Sequence, residues 1–406
     1  MKKTLLLSVV ASTMIMAGGS IAPVEPVVEA TPEVAAPVET SGWDFSGQAV
    51  AYTQTADNYG EGSLFDDEST YAAVGAQLRA ENKDVMGGFG AGIEVSGIHS
   101  DNGTGAGFYG NGGSAGNTSG GITQAYVTKA FGNTSFKVGR QTLPKSLSPF
   151  AYSEGWQVFK NTFDAALVVN SDLPSTTLVY AFVKNYNRSV GDFLNEDSFV
   201  AANPVDSAAG VHMITAQNKS IDGLTLTGTY YTAPDTADVV WGDAKFKAGM
   251  FSVALQGGQL SPEVGEETTA FGAKIGAKLG MINASLAYSS VDEDGAMNVS
   301  NWTGVKSPLY TQMVLNNVGQ YAATPGSDFL KAFATAKALG GTIKVGYGTG
   351  LQYKGDSDVN YSELDLMYVT KISKNTKLFA GYVMTDSDIE GQDSSNFVRF
   401  WARYSF

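Results

Sequence analysis

Apolar and polar residues alternate one for one along most of this chain, in runs of about 9–13 residues, and that period of two is the signature of a β-strand with two unlike faces. Ala72, Val74, Ala76, Leu78 and Ala80 interleave with Tyr71, Ala73, Gly75, Gln77 and Arg79. Phe271, Ala273, Ile275, Ala277 and Leu279 interleave with Gly272, Lys274, Gly276 and Lys278. Leu364, Leu366 and Tyr368 interleave with Glu363, Asp365 and Met367. Helical periodicity is almost absent. Strands of soluble proteins run mostly to about 5–6 residues, whereas a tilted strand that crosses a bilayer needs about 9–11.

The spacing of the runs sharpens this. Strands are expected at 44–55, 69–80, 86–97, 122–131, 134–141, 161–170, 175–184, 210–218 and 223–232, and again at 238–247, 250–256, 267–279, 281–290, 328–338, 342–352, 359–372, 375–385 and 394–406. The gaps alternate between long and short. Short ones such as Gly132-Asn133, Gly280 and Leu339-Gly340-Gly341 carry tight-turn residues, while 98–121, 185–209 and 291–327 are long. Sorting of loops by length to opposite ends is a property of membrane barrels. The expectation is an all-β transmembrane antiparallel β-barrel over 43–406, of about 18 strands, with 16 as the alternative count.

Composition removes other classes. The chain has no cysteine and only two histidines, His99 and His212, so thiolate metal sites and cysteine nucleophiles are excluded and imidazole chemistry is sparse. A net charge of −14 is opposite to the basic footprint of a nucleic-acid binder. No cofactor site is expected. The matches to G-x-S-x-G at 112–116, around Ser114, and to G-x-G-x-x-G at 105–110 sit in a glycine-rich loop without the strand–turn–helix context that gives them meaning. His99 lies beside that loop, so a hydrolase stays as an alternative, as does an adhesion or structural barrel. The acidic run Asp292-Glu293-Asp294 reads as solvated charge before it reads as a weak Ca²⁺ site.

The N-terminus opens with Lys2 and Lys3, continues with an apolar stretch from Thr4 to Met16, and reaches small residues at Ala17-Gly18-Gly19. This is the pattern of a secretory signal peptide over 1–17, and the stretch is too short to span a membrane. Export through the Sec pathway is expected. Residues 18–42 form an acidic low-complexity tether rich in Pro, Val, Glu and Ala with no aromatic residue, unable to bury enough apolar surface to offset the entropy of ordering.

In the final run Val398, Phe400, Ala402, Tyr404 and Phe406 share one face. An aromatic alternation that closes on Phe resembles the C-terminal signal of Gram-negative outer-membrane barrels, with Phe400, Tyr404 and Phe406 as its residues. Together with Val138-Gly139-Arg140-Gln141-Thr142-Leu143-Pro144-Lys145 and Asn161-Thr162-Phe163-Asp164, the chain resembles the Gram-negative outer-membrane porins, nearest the OprD-like and epsilonproteobacterial major outer-membrane (Opr) type. The PEFGG-type loop motif of enterobacterial general porins is absent. The resemblance implies passive diffusion of small hydrophilic solutes, a constriction loop over 143–160 folded into the lumen, and insertion by the barrel assembly machinery. It also implies an outer-membrane setting among lipid and lipopolysaccharide, and a homotrimer.

With the apolar faces turned to lipid, the alternate positions line the lumen. This assigns inward Arg79, Glu94, Asp164, Asp243, Lys245, Lys247, Lys274, Lys278, Lys331, Lys337, Glu363, Asp365, Arg399 and Arg403. The loop contributes Lys145, Glu154 and Lys160, expected to oppose Arg140, Asp164 and Arg399 on the wall. Strict alternation puts Arg140 beside Phe136 and Val138 on the lipid face. A bulge at Gly139 would re-aim it inward; otherwise it snorkels at the outer rim. Both readings stay open.

Overall fold

The computed structural model describes residues 42–57, 62–67, 69–100, 117–155, 158–187, 199–302, 306–315, 321–353 and 358–406. The expected signal peptide, the tether apart from Gly42, and both glycine-rich motif matches with Ser114 lie outside the described residues.

The chain forms one antiparallel sheet closed on itself. Its first strands are β1 (Asp44–Ala56), β2 (Thr70–Met86), β3 (Phe89–Ser100), β4 (Asn117–Phe131), β5 (Thr134–Gln141), β6 (Phe163–Asn170) and β7 (Thr176–Asn187). They are followed by the short β8 (Phe199–Ala201), then β9 (Val211–Asn218), β10 (Leu224–Ala233), β11 (Ala237–Ala248), β12 (Phe251–Pro262) and β13 (Thr268–Leu279). The wall ends with β14 (Ile282–Val291), β15 (Ser327–Ala338), β16 (Gly341–Gln352), β17 (Val359–Lys371), β18 (Thr376–Ser387) and β19 (Ser395–Ser405). A single 3-10 turn at Tyr321–Ala323 is the one helical element among the described residues.

β8 pairs only with the end of β7, at Asn185–Asn187. Below it β7 pairs directly with β9, from Thr176↔Asn218 to Val183↔Val211. The wall therefore has the eighteen strands expected, and β8 is a short addition within the long 185–209 connection. Three boundaries moved furthest, and one of them is the end of β2, which runs on to Met86 rather than stopping at 80. β12 runs through Gly257-Gly258 to Pro262, because glycine in a strand interior weakens it without ending it when both neighbours hold it. β4 begins at Asn117 because β3 continues its ladder upward to Ser100↔Asn117.

The barrel closes by pairing β1 with β19, from Gln48↔Ser405 to Ala56↔Phe397. Gly47 and Phe406 exchange both backbone hydrogen bonds, at 2.9 and 3.0 Å. The hydrophobic edge left by the final strand is thus removed by the first strand. At the end where the wall begins and finishes, the connections are the tight turns 87–88, 132–133, 249–250, 280–281 and 339–340 and a few slightly longer ones. The opposite end carries the long loops, 292–326 among them.

Alternation holds on the wall. Val74, Leu78, Val240, Phe271, Ile275, Leu286 and Phe400 are exposed outward, while Gln77, Trp241, Lys274, Lys331 and Arg399 between or beside them are buried inward. The apolar core lies inside the barrel. Leu143, Phe150 and Ala151 of the 142–162 connection pack on Phe163, Val179, Ala181, Met213, Tyr231 and Trp241 of the wall. Phe150 sets its ring edge-on to Tyr231 at 5.8 Å and to Trp241 at 5.2 Å. Val158 and Phe159 pack on the opposite side with Val50, Tyr52, Phe379 and Trp401. Full burial of each such ring is worth roughly 1.5–3 kcal/mol, so the connection is pinned at both ends. Gly75 makes room for it: a Cβ there would sit 2.7 Å from the Phe159 ring.

Candidate functional site

The constriction is built by two inward loops. The 142–162 connection leaves β5, crosses the lumen and returns to β6, as expected. It does not face the wall alone. The 292–326 connection also enters the lumen, and the two are joined. Tyr152 N donates to Asn301 Oδ1 at 3.1 Å and Asn301 Nδ2 donates to Tyr152 O at 2.9 Å. Asn301 Nδ2 also reaches Glu154 Oε1 at 2.6 Å, and Lys306 N donates to the same oxygen at 3.1 Å. Lys145 Nζ donates to Ser307 O at 2.8 Å. Trp302 N donates to Phe150 O at 2.9 Å.

This corrects one expectation. Glu154 and Lys145 were expected to oppose Arg140, Asp164 and Arg399; they are engaged with Asn301, Lys306 and Ser307 of the second loop. Glu154 is 3% exposed. Lys160 lies half-buried at the end of the first loop. The second loop is anchored onward to the wall. Lys331 Nζ donates to Gln312 O, Leu315 N donates to Glu363 Oε1 at 2.6 Å, and Tyr310 donates its hydroxyl proton to Asp243. Burial of its ammonium pushes Lys145 down to about 7, against the opposing pull of Glu154 and helped by Lys245, Lys331 and Lys306. Burial likewise lowers Lys306 and raises the Tyr152 hydroxyl well above its ordinary value.

Asp164 is a second correction. Phe163 and Ala165 are the buried, inward neighbours on β6, so Asp164 points outward. Arg140 stands directly across from it and pairs with it through Nε at 2.8 Å and Nη2 at 3.2 Å. Asn185 Nδ2 adds a 3.3 Å bond to Asp164. Gly139 has a φ of 124° and a Cβ there would meet Ala125 O at 2.2 Å. The pairing on both sides of β5 nevertheless stays in step through 139 and 140, so Gly139 does not re-aim Arg140. Of the two readings, the outer one holds.

The other wall residues face inward. Glu94 is the centre of a polar array on β2–β4. It accepts from Thr123 Oγ1 at 2.7 Å, Gln124 Nε2 at 3.1 Å and Gln77 Nε2 at 3.2 Å, with Arg79 Nε at 3.4 Å. Across the lumen stand lysines. Lys245 pairs with Asp243 at 2.8 Å yet its side chain is 49% exposed. Lys274 lies under the Tyr310 ring at 5.8 Å. Lys247 and Lys278 are exposed nearer the short turns. Lys344, which the inward assignment above omits, joins them, buried on β16; its alternation with exposed Val345 carries the signal.

Arg399 and Arg403 occupy a different setting. Arg399 is 1% exposed, lies 4.9 Å over the Tyr52 ring and 5.1 Å over that of Phe397, and donates to Gln54. Arg403 donates to Gln48 at 2.8 Å and Val158 O at 3.1 Å. Both hold structure as well as charge. His99 faces outward and contacts Thr118 at 2.7 Å; His212 contacts Tyr180 at 2.9 Å.

The sequence matches no protein-family model and no curated protein. Solved structures match over almost the whole barrel. OccD3 (OpdP) of Pseudomonas aeruginosa superposes with a TM-score of 0.70 at 14% identity, covering 92% of this chain and 96% of that one. OccAB3 of Acinetobacter baumannii gives 0.74 at 12%, covering 90% and 99%. A BenF-like porin from Pseudomonas fluorescens Pf-5 gives 0.72 at 13%, covering 90% and 100%. At these identities the likeness is one of fold, and it is the fold that the porin resemblance implies.

Proposed function

We propose that the barrel is an outer-membrane porin through which small hydrophilic solutes pass by diffusion, with a preference for anions. The observation that carries this is the two-loop constriction bordered by lysines: Lys145 and Lys306 on the loops, Lys245, Lys274 and Lys331 on the wall. Loop acids outside the mouth lie beyond about one Debye length, ~8 Å at physiological salt, and are screened. Charges inside the narrowed passage meet a lower effective dielectric and weigh more. The outward position of Asp164 enlarges the basic excess of the inward set.

The outward apolar faces suit lipid, and the sorted connections suit short turns on the periplasmic side and long loops outside. On this reading the chain is exported through the Sec pathway and inserted by the assembly machinery through Phe400, Tyr404 and Phe406. It then sits as a homotrimer among lipid and lipopolysaccharide. On this reading passage by diffusion needs no catalysis.

Planar-bilayer recording tests this. Stepwise conductance with a reversal potential of anion sign under a salt gradient is the expected result. Absence of any conductance would leave an adhesion barrel, and strong cation preference would overturn the basic-wall reading. Mass measurement in mild detergent tests the trimer.

A further inference from the structure

We propose that a second copy of this barrel packs on the outer face of β5–β9, with the Arg140–Asp164 pair inside the contact. The wall is lowest there. β5, β6 and β9 have 8 residues each, while every other strand but β8 has 10–17. A strand that crosses a bilayer needs about 9–11 residues. At about 3.3 Å per residue and a tilt of about 40°, a strand of that length climbs only about 20 Å, against an apolar band about 25 Å tall. Arg140 lies six positions above Thr134, where β5 leaves its short turn, and Asp164 lies six positions above Asn170, where β6 enters the next. That is about 15 Å up the band. On the other strands that start or end at the tight turns named above, the same position holds Val, Ala, Gly or Tyr, as at Val95, Ala125, Gly242 and Tyr347. The two charged side chains are each 27% exposed. Acyl chains give such a pair no polar neighbour, and ionisable groups at this depth almost always face protein or a water-filled cavity.

Charge selects the face on which two copies can meet. Of the long-end connections that stay outside the lumen, 57–69, 101–116, 234–236, 263–267 and 388–394 carry Asp or Glu and neither Lys nor Arg. The 292–326 connection opens on Asp292-Glu293-Asp294, and 353–358 has two acids to one lysine. Like charges brought together oppose association. The stretch beside the low wall, 184–210, instead sets Lys184 and Arg188 against Asp192, Glu196 and Asp206, and on the wall Arg140 is matched by Asp164. Around that pair the face is apolar and aromatic. Val138, Tyr180 and Ile214 are exposed outward, and His212 lies against Tyr180 and Phe182 with ring centroids 6.2 and 5.1 Å away. A second copy offers the same mixture of apolar area and balanced charge, which a lipid tail does not. The inference rests on the outer-membrane reading and gives the homotrimer proposed above its contact face.

The chain has no cysteine, so single cysteines report contacts without background. Val138→Cys and Ile214→Cys on the low face, and Leu286→Cys and Val345→Cys across the barrel, are treated in native membranes with a bis-maleimide linker. Linked dimers are expected from the first two and not from the second two. Ala166→Trp places a large ring on the outward face of β6, which lipid accepts and a packed subunit contact does not. It should reduce the particle to a monomer in mild detergent, with heat-modifiable migration unchanged. Ala332→Trp, on the far side, should leave the mass as in the parent. Parental mass in Ala166→Trp, links from the far face alone, links from both faces alike, or a parent that is monomeric and never links would each overturn the proposal. None of these readouts uses current. A parent that links through the low face but never conducts keeps the interface and sinks the porin reading; one that conducts without those links does the reverse.

Discussion

Glu154 and Asn301, 147 residues apart, are joined by a 2.6 Å hydrogen bond from the Asn301 amide to the Glu154 carboxylate, and this bond ties the two loops that narrow the lumen. The same oxygen takes the Lys306 N–H.

Glu154→Ala removes the shared acceptor of two buried hydrogen bonds, from the Asn301 amide and from the Lys306 N–H. Each hydrogen bond to a charged group contributes about 1.5–3 kcal/mol, which is enough to release one loop from the other. The wall ladders do not involve Glu154, so the barrel stays folded. Single-channel recordings should show raised open-state noise or added sub-levels, with heat-modifiable gel migration unchanged. Quiet, parental openings in the variant would mean the clamp does not govern the passage.

Lys145 supplies a pH response. Burial among Glu154, Lys245, Lys306 and Lys331 pushes it down to about 7, below the ordinary lysine value. Below about pH 7 it is charged and adds to the basic lining; above that it is neutral. Anion preference should therefore weaken as pH rises from 6 to 8, and Lys145→Met should flatten that change. Stability moves the opposite way, since the folded chain bears the cost of the buried charge below about 7 and is relieved of it as pH rises toward the ordinary lysine range. Reversal potentials at the two pH values, in parent and variant, check the first half; thermal unfolding checks the second.

The strands, their alternation and the closed barrel were legible because each depends on a local pattern of period two or on turn residues; the first inward loop was expected only from the resemblance to porins. The second loop was not. Residues 306–315 carry no periodic pattern, and their inward course follows from the contacts Gln312–Lys331, Leu315–Glu363 and Lys306–Glu154, which join residues 19, 48 and 152 positions apart. Asp164 was misassigned for a reason of register. Moving the face of a strand by one residue reverses every side chain on it, and the bulge between Asp164 and Ala165 opposite β7 blurs the parity of a run only eight residues long.

Charge exposure separates two cations that sequence treats alike. The Lys245 side chain is 49% exposed to the lumen, while Arg399 is sealed between Tyr52, Phe397 and Gln54. Lys245→Ala should shift the reversal potential toward neutrality with little effect on folding. Arg399→Ala removes a desolvated cation–π contact worth about 2 kcal/mol or more and should lower thermal stability first. Paired bilayer and melting measurements decide it; a larger selectivity change in Arg399→Ala would show that the passage runs along β19.

At the long-loop end the β1–β19 seam is held by Asp57. Its carboxylate accepts from Asn396 N at 2.8 Å, Asn396 Nδ2 at 2.6 Å and Ser395 Oγ at 3.1 Å, and its own N–H donates to Asn396 O at 3.1 Å. At the other end the seam depends on the Gly47–Phe406 exchange. A barrel has no free edge only while its last pairing holds, so these two fastenings govern how readily the sheet opens. Asp57→Ala removes three acceptor contacts to a charged group and should cost about 2–4 kcal/mol after partial replacement by water. The loss should appear as a lower temperature for the shift in gel migration. Asp57→Asn keeps one acceptor and should fall between the two. If Asp57→Ala melts with the parent, the seam is held by its backbone ladder alone, and deletion of Phe406 becomes the change expected to open it.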